Sequence, residues 1–180
     1  DLATVFCGTN DVTAPRFDAA AVATDIAAMQ HALVGRGATV LSFTLPDLTP
    51  LMPLARFIAP RIAALNQALA AASRASGAIL VDFAAHAVAT DRRFWSEDRI
   101  HANAAGHARI AEALAQALRL PGSNDAWRAP LPAMTLTRAQ RWAAEARWLR
   151  RHLLPWIWQG LRGRSSADGC GPKRPAIAPP

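Results

Sequence analysis

The chain has 180 residues, enough for one domain with a substantial core, and its 52% hydrophobic content excludes a disordered class. The formal net charge of +7 is unevenly placed: residues 1–135 hold eleven basic and eleven acidic residues, whereas residues 136–180 hold nine basic and two acidic ones. A neutral body argues against nucleic-acid binding, two cysteines exclude a disulfide framework, and no apolar run reaches the roughly 20 residues of a membrane span.

The opening "DLATVFCGTNDV" reads as an apolar β-strand from Leu2 to Cys7, ended by a turn at Gly8-Thr9-Asn10-Asp11. Cys7 is expected to be a small core residue within it. Residues 16–37 repeat apolar side chains at helical spacing through Val22, Ile26, Met29 and Leu33, and stop at Gly35 and Gly37. A second strand is expected over 38–46, closed by Pro46 and a proline-rich loop. A long helix follows over 57–77, with Pro60 tolerable only in its first turn. "AILVDF", residues 78–83, is the third strand, and a helix over 103–120 closes the body.

Strand and helix alternate, so the expected fold class is α/β: a three-layer α/β/α arrangement about a parallel sheet, because parallel strands need crossovers. Ligands of such sheets bind at the carboxyl ends of the strands. Two polar clusters follow strands, "GTND" and "WSEDRIH" (residues 95–101). Asp98 and His101 are spaced so that a carboxylate reaches an imidazole nitrogen while the other nitrogen faces a substrate. Asn10, in a turn at the same edge, can donate its amide to a developing oxyanion. A surface ion pair and a plain turn are the simpler readings of each motif alone.

Together, in this order and on this alternation, the two motifs resemble the SGNH (GDSL-type) esterase and acylhydrolase family, with its flavodoxin-like sheet. Gly8-Thr9-Asn10-Asp11 matches the G-x-N-D block. Asp98-Arg99-Ile100-His101, followed by "ANAAGHARIAEAL", matches the D-x-x-H block and the helix behind it. The resemblance covers about residues 1–120 and is closest to actinobacterial members with an Arg/Trp-rich C-terminal extension. It implies Asn10 as an oxyanion donor, His101 as general base, Asp98 as its orienting partner, and Gly8 and Asp11 as supporting turn residues. It implies a small-molecule ester substrate and no metal or organic cofactor.

The family's Gly-Asp-Ser block and second oxyanion glycine lie upstream of G-x-N-D, and no serine here stands in such an elbow. The resemblance therefore implies that the chain begins at the family's third strand, lacks the nucleophile, and is inactive alone. It also implies that Leu2 to Cys7 lies at an exposed sheet edge. Ser96 as a substitute nucleophile and a metal site of Asp98, His101 and His107 are weaker alternatives, and His31 and His86 receive no role. No secretory signal is visible, and a cytoplasmic location is expected.

Residues 121–136 read as a proline-containing linker. Residues 137–164 read as one basic, Trp-rich amphipathic helix opened by a Thr137–Gln140 capping box, with Trp142, Ala146, Leu149, Leu153 and Trp156 on one face. That face could pack on the body, or the helix could contact a membrane surface; nucleic acid is not expected as a partner. A non-catalytic chain acting through this helix is the competing function. Residues 165–180 are Gly/Pro-rich and expected to be disordered.

Overall fold

The structure, a computed structural model, describes residues 1–163. The expected disordered tail over 165–180 lies outside the described residues, as do Cys170 and the last residue of the expected helix. Two compact units are present, Asp1–Pro132 and Ala133–Pro180.

In the first unit, β1 (Leu2–Val5), β2 (Thr39–Phe43) and β3 (Ile79–Val81) form a parallel sheet in the order β1-β2-β3. Between them run α1 (Ala19–Val34) and α2 (Ala59–Ser76), and α3 (Ala104–Ala117) follows. Each helix begins where its sequence supplies a start. The Asp18 carboxylate accepts from the amides of Ala20 and Ala21, Pro60 occupies the first turn of α2, and Asn103 accepts from the Gly106 amide. Gly77 ends α2 in the left-handed conformation, φ 80°.

Two hydrophobic clusters define the layers. Val5, Val40, Ile26, Leu65 and Leu69 pack α1 and α2 on one face of the sheet, while Leu41, Phe43, Val81 and Ala113 pack α3 on the other. Alternate residues of β2 thus go to opposite faces, and both are dry from Val40 to Phe43, with the one buried hydroxyl, Ser42, donating to the Val5 carbonyl. This is the expected three-layer parallel α/β fold.

β1 is shorter and wetter than its sequence implies. Only Val5 is buried within it, and Leu2 and Phe6 are more than half exposed. It pairs with β2 on one side, and α3 packs on β3, so nothing in the second cluster covers this face of β1 beyond an edge-on contact between Phe6 and Phe43. β2 and β3 also stop early, because side chains replace the ladder. Asn66 of α2 bonds both the amide and the carbonyl of Leu45, and Thr44 Oγ1 donates to Asp82.

The stretch after α3 is packed rather than free. Trp127 is 3% exposed within the second cluster and donates its indole N–H to Gln116, and Arg93 donates to the carbonyls of Leu131 and Pro132.

The second unit contains α4 (Arg138–Trp148) and α5 (Leu154–Leu161), joined by a π turn over Leu149–Leu153. The Thr137–Gln140 capping box opens α4. The single helix of the sequence reading is thus interrupted. Pro155 has no N–H to donate and its ring crowds the preceding turn, and the wider turn just before it accommodates both. The Leu154 amide accordingly donates to Leu149, five residues back. No described helix is long and apolar enough to cross a membrane.

Candidate active site

Parallel strands bring both polar clusters to the carboxyl edge of the sheet. Asn10 lies beyond β1, the loop carrying Asp98 and His101 descends from β3 into α3, and β2 stands between them. β1 and β3 are therefore about 10 Å apart at two strand spacings.

The Asn10 turn is held from outside. Gly8 sits at φ 106°, a conformation that favours glycine, and a β-carbon there would run into Leu65 of α2. Its carbonyl accepts from the Val12 amide, and Asp11 heads a 3-10 turn, Asp11–Thr13. Arg61 of α2 donates to the carbonyls of Val12 and Ala14, at 3.2 and 2.6 Å. The Asn10 backbone carbonyl takes bonds from Thr13, but its side chain caps nothing and is exposed.

The Asp98–His101 loop braces itself. Asp98 Oδ1 accepts from the amides of Ile100 and His101, both at 3.0 Å, and Oδ2 lies 2.7 Å from His101 Nδ1. With Nδ1 bonded to the carboxylate, the neutral ring carries its proton there, and Nε2 is left as an acceptor. The His101 side chain is 79% exposed, so that nitrogen is accessible. Burial raises the Asp98 pKa, but the bonds from the His101 ring and from the two amides outweigh it and leave the carboxyl below the usual range. Asp98 is thus a committed carboxylate at neutral pH.

The loop is tied down at both ends. The Ser96 amide donates to the His101 carbonyl, Trp95 and Ala102 form an isolated antiparallel bridge, and Asn103 Nδ2 donates to the carbonyls of Arg93 and Trp95. Gly106 lets the first turn of α3 approach this hairpin, since a β-carbon would collide with the Phe94 carbonyl oxygen.

One residue of the loop was not singled out from sequence. Arg99 is 1% exposed, holds φ at 67°, and donates from Nη1 to the Leu51 carbonyl at 2.9 Å. It pins the loop between Asp98 and His101 to the segment that leaves β2. An arginine inside a D-x-x-H block carries no local sign of burial, because its acceptor lies 48 residues away.

The described serines do not meet this pair. Ser42, Ser73 and Ser76 are buried, with Ser42 bonded to the Val5 carbonyl and the other two to Gln30 of α1. Ser96 Oγ points to the Ala102 carbonyl at 3.4 Å, and Ser123 caps the Leu120 carbonyl. Cys7 is half-buried rather than a full core residue, and burial first, then the Asp11 charge, pushes its thiol pKa up, so it is no activated nucleophile. His107 is exposed on α3, and no three His, Cys, Asp or Glu side chains among the described residues are grouped as metal ligands.

A parallel sheet with α1 and α2 on one face and α3 on the other is the architecture of a flavodoxin-like α/β protein. Within that class the assignment is specific: a family model matches residues 1–109, and the chain belongs to the GDSL-like Lipase/Acylhydrolase family. Searches of curated proteins and of solved structures gave no match.

Proposed function

We propose that this chain supplies the acid–base pair and one oxyanion donor of a serine acyl-ester hydrolase, and that the nucleophilic serine is not among its own. The observation that carries the reading is the 2.7 Å contact between His101 Nδ1 and Asp98 Oδ2 beneath an exposed ring, at the rim of a sheet matched by an acylhydrolase family. Family membership supports hydrolase chemistry, and the Asp98–His101 contact supports the roles given to that pair.

His101 Nε2 takes the proton of the attacking serine hydroxyl as its oxygen bonds to the ester carbonyl carbon, and the carbonyl π electrons move to oxygen. The Asn10 amide donates to that oxyanion. Collapse of the tetrahedral intermediate breaks the bond to the alcohol oxygen, which receives the proton from His101. Water then repeats the sequence on the acyl-enzyme, returning the serine. Asp98 stays ionised throughout, holding the tautomer and balancing the imidazolium. The substrate of this reading is a small-molecule ester, and no cofactor enters it.

The test uses the 180-residue chain itself. Incubation with a fluorophosphonate, read by intact mass, is expected to give no adduct, and short-chain nitrophenyl esters are expected to be cleaved no faster than by buffer. A stoichiometric adduct on Ser96 would overturn the absence of a nucleophile. An enzyme joining this chain to a Gly-Asp-Ser segment is expected to label and to turn over; turnover surviving His101→Ala would overturn the acid–base assignment.

A further inference from the structure

We propose that residues 137–163 form a docking surface for an anionic lipid bilayer, lying in its headgroup region with one apolar stripe facing the acyl chains. The proposal is independent of the hydrolase reading, and its test reads binding alone.

The stripe follows from the π turn. Trp142 and Ala146 of α4 and Leu149 at its end are spaced by four and three residues and so share a side. A continuous α-helix would carry that side on through Leu153 and Trp156. The bond from the Leu154 amide to the Leu149 carbonyl instead stacks Leu154 over Leu149. From Leu154 the α spacing recurs at Ile157, Trp158 and Leu161, so the π turn splices two short apolar faces into one line. These four residues border a common groove together with Pro155 and Arg150. The line is open to solvent: Trp142 is 76% exposed, Trp158 56% and Leu161 77%.

Charge selects the occupant. Residues 137–163 contain six arginines and one acid, Glu145. Arg150 borders the groove, and the Arg162 guanidinium lies 4.4 Å from the centre of the Trp158 ring, so cations flank the apolar line. A second copy of the chain would bring like charges together along that line. Nucleic acid would satisfy the arginines and leave Leu154, Ile157 and Leu161 in water. An anionic bilayer satisfies both, with tryptophans at the boundary between headgroups and chains, where their amphipathic rings are favoured.

The experiment is co-sedimentation of the full 180-residue chain with phosphatidylcholine vesicles prepared with and without phosphatidylglycerol, alongside tryptophan emission. Binding to the anionic vesicles, weakening as salt rises, with a blue shift in emission, is expected. Joint charge reversal at Arg141, Arg147 and Arg150 to Glu is expected to weaken it by on the order of a hundredfold or more. The pair Trp158→Ala and Leu161→Ala is expected to weaken it with all charge retained. Should a reversal variant lose helicity by circular dichroism, the three Arg→Gln changes serve instead. Equal binding to both vesicle types, binding to neither, retention by an oligonucleotide but not by vesicles, or concentration-dependent self-association abolished by the Trp158 and Leu161 changes would each overturn the proposal.

Discussion

The two ends of the candidate site are built in opposite ways. The Asn10 turn owes its shape to α2, which receives Gly8 against Leu65 and reaches up with Arg61, and the Asn10 side chain caps nothing. The Asp98–His101 loop carries its own bracing, and the His101 ring is already fixed on Asp98. An imidazole needs one tautomer and one orientation before a proton can be taken, so its support must exist beforehand. An amide donor needs only a backbone that does not move, because its bond forms as charge appears on the substrate.

The difference is sharpest in function, in an enzyme joining this chain to a Gly-Asp-Ser segment. His101→Ala is expected to remove turnover by roughly a millionfold and Asp98→Asn by about ten thousandfold, the losses seen when base and orienting carboxylate are removed from other triads. Asn10→Ala is expected to cost about a hundred- to a thousandfold in kcat, the scale of one oxyanion donor. Steady-state kinetics check this order; an Asn10 variant as inactive as the His101 variant would break the distinction between preset and waiting groups.

A smaller effect tests the supports. Gly106→Ala drives a β-carbon into backbone that cannot yield as a side chain can, and is expected to destabilise by about 1–3 kcal/mol while loosening residues 96–102. Gly8→Ala brings a β-carbon against a methyl of the buried Leu65 and strains a left-handed backbone, together about 1–3 kcal/mol, and the Asp98–His101 loop is expected to keep its protection. Thermal melts and amide hydrogen exchange separate the two.

Smallest is the effect of acid. Asp98 binds its proton less readily folded than unfolded, so its contribution to stability is complete above the unfolded carboxylate range and is lost as pH falls through the lower folded value. Melting temperature followed down through that window is expected to fall more steeply for the native chain than for Asp98→Asn. Parallel curves would mean that Asp98 gains nothing from its partners.

Much of this was legible in the sequence because it is local. The helix starts at Asn103 and Thr137, the order of strands and helices, and the pairing of Asp98 with His101 three residues on all depend on neighbours in the chain. What escaped depends on distant partners. Arg99 is buried because the Leu51 carbonyl waits for it, and Gln30 is 0% exposed because Ser73 and Ser76 of α2 satisfy its amide. Trp127 turns a proline-containing stretch into part of the second cluster. The π turn escaped because periodicity assumes an unbroken α-helix, although Pro155 marked the place where that assumption fails.

The most direct measurement is made on this chain without any nucleophile: nitrogen-15 NMR of the His101 ring at a pH where imidazoles are neutral. The proton is expected on Nδ1, shifted downfield by its bond to Asp98, with Nε2 unprotonated, and Asp98→Asn is expected to abolish that signature. A ring protonated on Nε2, or one indistinguishable from its state in the Asp98→Asn variant, would contradict a preset acid–base pair.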